Sequence, residues 1–154
     1  MKALVDDQIG LQPNKNVRKQ LSISYLNLLT QHDFDHLLWA CDLNFVRGED
    51  SLVRALWAGQ PLVWQLYPQS GDAHLAKLAA FMDVIDAPAS LRDFHAAWNS
   101  AVKPIQALPL LDLPAWSACI QTATQALQAH NDLTTQLMHF AVQHQNTAHE
   151  TAAR

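Results

Sequence analysis

The chain has 154 residues, 49% of them hydrophobic and 16% charged, with a formal net charge of -4. That length and apolar share suit one core of ordinary size and exclude a disordered chain. The acidic balance excludes general nucleic-acid binding, which needs a basic face to displace counterions.

Met1 to Ile9 reads as the end of a helix and Gly10 to Asn16 as a polar loop, so residues 1–20 are expected to be a helix remnant and loop. Leu21, Ile23 and Tyr25 alternate with serines, which predicts a first strand ending near Leu26. Asp33 to Ala40 suits a short helix with Phe34, Leu37, Leu38 and Cys41 on one side. Asp42 to Val46 is a second strand, Ser51 to Ala58 a helix stopped by Gly59-Gln60-Pro61, and Leu62 to Leu66 a third strand. Strands spaced by single helices imply parallel pairing. Beyond Asp72 the pattern is helical, over Ala73–Ile85, Ser90–Val102, Pro114–His130 and Asp132 to about His149. The expected fold is α/β, a partial Rossmann-like parallel sheet of about three strands over residues 21–102 with a helical C-terminal tail over 103–154.

No apolar run approaches the length of a membrane span, and the N-terminus lacks the basic-then-apolar layout of a signal peptide. A cytoplasmic chain with no membrane partner is therefore expected. Cys41 and Cys119 stand in unrelated contexts, so neither a disulfide framework nor a cysteine metal site is expected.

The segment from Cys41 to Gln69 concentrates its charges in one strand-to-helix turn, Arg47-Gly48-Glu49-Asp50-Ser51. Gly48 lets backbone approach a ligand closely. The first amides of the following helix lack internal partners and carry the positive end of the helix dipole, and Arg47 adds a two-pronged donor suited to phosphate oxygens. The alternative is that Asp50 or Ser51 caps the helix while Arg47 pairs with Glu49 or Asp50. In an open parallel sheet the ligand lies at the carboxyl ends of the strands. Here those ends carry Asn27–Gln31, Arg47–Ser51 and Tyr67–Gln69, three loops expected to converge on one crevice.

The wording of Leu37 to Gln69, LLWACDLNFVRGEDSLVRALWAGQPLVWQLYPQ, resembles the donor-binding half of the bacterial protein-arginine rhamnosyltransferases that modify elongation factor P, the EarP family. Leu28 to Asp35 fits that family's segment of the type P-F-x-x-Q-x-x-Y/F-D, with Leu28 and Thr30 departing from it, and Asp72 to Leu78 fits its next helix. The resemblance implies the C-terminal half of a two-domain GT-B glycosyltransferase. Asp6 and Asp7 lack the strand and glycine-rich turn that precede such an enzyme's catalytic aspartate. The resemblance thus implies a C-terminal, donor-binding portion, inactive alone because the acceptor domain with its catalytic aspartate is absent, and it leaves open a split gene product, with a separate acceptor domain as a further partner, or a truncated relic.

The implied donor is dTDP-L-rhamnose and the implied acceptor is elongation factor P, with no cofactor and no metal. Thymine would meet backbone groups of Leu29, Thr30 and Gln31 and the ring of Phe34, although an aromatic at that spacing also suits the core. The diphosphate would sit on the amides of Glu49, Asp50 and Ser51, helped by Arg47, Gly48, the Ser51 hydroxyl and Tyr67. Glu49 is the implied catalytic carboxylate, beside the rhamnose or the incoming guanidinium.

Other candidates are weaker. His32 and His36 share a helix face without a further ligand set, and His139 and His144 fall on different faces. Trp57 and Trp64 suit the core, with Trp39 an exception, and His74 and Lys77, on the helix after Tyr67, suit a solvated face better than one turned to the crevice. Two other function classes remain open: a generic nucleotide- or phosphate-binding module, and a non-catalytic helical interaction domain from a truncated gene.

Overall fold

The computed structural model describes residues 23–99 and 108–152. The chain forms two compact units, Met1–Phe34 and Asp35–Arg154, with the division inside the first described helix, α1 (Gln31–Ala40). Residues 23–30 contain no strand, and Ile23, Tyr25 and Leu26 are exposed. Alternation specifies a strand only where a partner edge is there to pair with it. The expected helix remnant over residues 1–20 lies outside the described residues.

Within the second unit, β1 (Asn44–Arg47), α2 (Glu49–Ala58) and β2 (Leu62–Gln65) follow one another, and the two strands pair in parallel with Asn44 opposite Leu62 and Arg47 opposite Gln65. Helix α2 buries Leu52, Ala55 and Leu56 on one stripe, the spacing of an amphipathic helix. Its end is set by Gly59 at φ 71°, whose N–H bonds the Leu56 carbonyl, the left-handed stop that glycine permits. Trp64 is buried, as expected. Trp57 is 53% exposed, against the expectation of a core residue, because it follows Leu56 by one position and so turns away from the buried stripe.

The sheet has two strands among the described residues, not three. The far edge of β2 is occupied by side chains from α4 (Ala89–Asn99). His95 Nε2 accepts the Trp64 amide at 3.0 Å, Asn99 Oδ1 accepts the Leu66 amide at 2.8 Å, and Asn99 Nδ2 donates to the Trp64 carbonyl at 2.9 Å. His95 Nδ1 lies 3.0 Å from the Leu91 carbonyl, which fixes a neutral ring with its proton on Nδ1. Burial pushes His95 down to about 4.

Helices make up the rest: α3 (Ala73–Val84), α4, α5 (Leu113–Gln128) and α6 (Leu133–Ala152). Trp116 and Ile120 of α5, Leu91 of α4, and Leu62 and Val63 of β2 are all fully buried, and the Trp116 ring meets Phe94 edge-on at 5.2 Å. Thr124 of α5 donates to the Leu56 carbonyl at 2.7 Å and so ties the far end of the chain to α2. No helix among the described residues is long and apolar enough to cross a membrane.

Candidate functional site

Strand β1 alternates buried Asn44 and Val46 with exposed Phe45 and Arg47, which delivers the Arg47 side chain to solvent at the strand's carboxyl end. Asn44 is anchored by donating to the Leu38 carbonyl at 3.0 Å. The chain then turns through Gly48 at φ 84°, ψ 167°, a conformation that is essentially glycine's alone. The Gly48 carbonyl accepts the indole N–H of Trp64 at 3.2 Å and the Leu52 amide at 3.3 Å. A buried tryptophan therefore holds the turn from below.

Helix α2 begins at Glu49, two residues earlier than the sequence pattern suggested, and no side chain caps it. Asp50 and Ser51 are thus not caps. Asp50 instead pairs with Arg54 one turn on, at 3.2 Å, and Arg54 also grips Asp35 at 2.9 Å, so that Asp35 and Asp50 hold the guanidinium above its usual range. Glu49 pairs with Lys77 of α3. The Lys77 ammonium, and after it Glu49's own backbone amide, hold that carboxyl below the usual carboxylate range. Arg47 pairs with neither acid. Its guanidinium carbon lies 4.1 Å from the centre of the exposed Tyr67 ring, a cation–π contact, and Arg47 itself is exposed.

Two of the three predicted loops do converge. Tyr67 Cε2 is 3.9 Å from the point where a Gly48 Cβ would stand, and Gly48, Glu49, Trp64, Leu66, Tyr67, Gln69, His74 and Lys77 line one pocket of about 30 Å³, room for roughly one or two waters. Lys77 and His74 were expected on a solvated face. His74 is instead 5% exposed, with Nδ1 accepting the Gln69 amide at 3.2 Å, whereas Lys77 is exposed as expected, its ammonium 5.5 Å over the Trp64 ring. The signal that pointed to them was their place on the helix that follows Tyr67.

The third loop belongs to the first unit. Leu29 is 41% exposed, and Thr30 caps α1: its hydroxyl accepts the Asp33 amide at 3.1 Å and bonds the Asp33 carboxylate at 2.6 Å. The Thr30 carbonyl accepts the Phe34 amide at 3.0 Å, so Thr30 departs from the expected proline by serving as a helix start. Gln31 opens the helix and Phe34 is half-buried. Among the described residues no group of three or more His, Cys, Asp or Glu side chains could hold a metal ion.

The chain is similar to known proteins over most of its length. Residues 2–142 match the model of the family described as Elongation-Factor P (EF-P) rhamnosyltransferase EarP. A protein-arginine rhamnosyltransferase of Pseudomonas aeruginosa is 41% identical over 133 residues, which cover 81% of this chain and 35% of the relative. One of Shewanella oneidensis is 38% identical over 143 residues, 85% of this chain and 36% of the relative. The chain thus spans about a third of the length of these curated relatives. A solved structure described as the structural basis for EarP-mediated arginine glycosylation of translation elongation factor EF-P superposes with a TM-score of 0.63 at 31% identity, covering 92% of this chain and 48% of that one.

Proposed function

We propose that this chain, which belongs to the EarP family of elongation factor P rhamnosyltransferases, is the donor-binding portion of an inverting GT-B glycosyltransferase that moves rhamnose from dTDP-L-rhamnose to an arginine of elongation factor P in the cytoplasm. The observation that carries this reading is the uncapped start of α2 behind Gly48, with Arg47 and Tyr67 at its side. Amides at a helix N-terminus and a nearby arginine fork are donors for phosphate oxygens. In this reading the Glu49, Asp50 and Ser51 amides, the Ser51 hydroxyl, Arg47 and Tyr67 receive the diphosphate. Backbone groups of Leu29, Thr30 and Gln31 meet the thymine edge, and Phe34 meets its face.

A guanidinium is a poor nucleophile, because its lone pairs are delocalised and it stays protonated at neutral pH. A carboxylate must orient it while a base takes its proton and fixed donors stabilise the departing diphosphate. Glu49 is suited to the orienting role, as an exposed carboxylate whose direction Lys77 fixes. The partner aspartate would come from the acceptor domain.

Calorimetric titration with dTDP, UDP and ADP tests the reading. Selective binding of dTDP is expected. Equal binding of all three would favour a generic nucleotide-binding module, and no binding of any would favour a non-catalytic interaction domain.

A further inference from the structure

We infer that Lys77 is a positioning residue for Glu49, whose pairing with that carboxylate keeps the Gly48 turn open to an anion. The inference rests on the donor-site reading above and adds to it a residue on a separate helix.

The difficulty it resolves is electrostatic. Glu49 is the first residue of α2, where a carboxylate competes with any diphosphate for the same amides and the same positive helix end, and unpaired it would repel a dianion. Asp50, the other acid of the turn, is already held by Arg54. Glu49 has one cationic partner among the described ion pairs, Lys77, which arrives from α3. Two contacts hold Lys77 in reach. Its ammonium lies 5.5 Å over the Trp64 ring, the same ring whose N–H fixes the Gly48 carbonyl. One turn earlier on α3, buried His74 accepts the Gln69 amide and locks the start of the helix against the Tyr67 loop. Lys77 and Glu49 together line the small pocket between Gly48 and Tyr67. Lys77 thus offsets the Glu49 charge and fixes its direction from outside the phosphate turn.

A charge-offset role makes the two residues interdependent, which a double-mutant cycle measures. With dTDP as the probe and the full 154-residue chain, Lys77→Met is expected to weaken binding by about fivefold at low salt, the scale of an exposed ion pair. Glu49→Gln should bind dTDP as tightly as the unaltered chain or more so, and the double variant should return to within about twofold of Glu49→Gln. A double variant as weak as Lys77→Met overturns the inference, because the ammonium would then be touching the nucleotide itself. Unchanged binding in Lys77→Met overturns it too. A second readout needs no nucleotide: in Lys77→Met the Glu49 side-chain carbon, followed by NMR against pH, should titrate at higher pH than in the unaltered chain, and an unmoved midpoint overturns the pairing. Failure of the unaltered chain to bind dTDP is distinct from all of these, and overturns the donor-site reading together with the inference built on it.

Discussion

His95 on α4 accepts the Trp64 backbone amide at 3.0 Å and thereby stands where a neighbouring strand would stand beside β2. Only the neutral ring can do this, since protonation removes the acceptor. Burial depresses the histidine to about 4, whereas in the unfolded chain it titrates near 6.5. As pH falls the unfolded chain therefore takes up the proton first. The stabilisation is fully present above about 6.5 and is lost as pH drops toward 4, with a span of about 3 kcal/mol. Urea denaturation at pH 7 and pH 4.5 checks this, and His95→Phe should flatten that part of the profile.

Asn99 completes the same edge by bonding the Leu66 amide and the Trp64 carbonyl. Asn99→Leu would leave both backbone groups buried without partners. A loss of about 2–4 kcal/mol is expected by chemical denaturation. A variant as stable as the unaltered chain would mean that water or a shifted α4 replaces both bonds.

Gly48 is confined by its backbone more than by its surroundings. A Cβ there would meet Tyr67 at an ordinary 3.9 Å, but φ is 84°. Gly48→Ala should therefore destabilise the chain by about 1–3 kcal/mol even with no ligand present. Thermal melts of the ligand-free variant give the answer, and they must precede any binding measurement on it.

Arg47 and Tyr67 separate charge from stacking. Arg47→Met removes the donor fork and should weaken dTDP binding by tenfold or more, on the scale of a charge-assisted hydrogen bond of about 1.5–3 kcal/mol. Tyr67→Leu removes the ring beneath the guanidinium and should weaken it less, while Tyr67→Phe keeps the ring and isolates the hydroxyl. Titration calorimetry of the three variants ranks them. Arg47→Met binding as tightly as the unaltered chain would move the diphosphate off this turn.

The turn was legible because a strand, a glycine and a helix leave local marks: the charges of Arg47 to Asp50 interrupt two apolar runs, and Gly59 with Pro61 closes the helix. The four later helices were legible for the same reason, their apolar positions recurring at helical spacing. What the sequence hid were partnerships across elements. Lys77 and Glu49 are 28 positions apart, and Arg54 and Asp35 are 19, so no local pattern links them. His95 and Asn99 carry no local mark within the helical pattern of Ser90–Val102, because their burial depends on β2 needing partners. The strand expected near Leu21 to Leu26 failed in its described part because alternation records a chain's willingness to pair, not the presence of a neighbour.

The bond from Thr124 to the Leu56 carbonyl joins residues 68 apart, whereas β1 and β2 meet across α2 alone. Closing a long loop loses more chain entropy than closing a short one, and contacts between distant residues are made slowly. The order of assembly follows from that difference. The β1–α2–β2 segment, with the Gly48 turn inside it, is expected to form early, and α5 to dock late against a helix already in place. Substitutions at Thr124 should then chiefly quicken unfolding, whereas substitutions in the α2 stripe should slow folding.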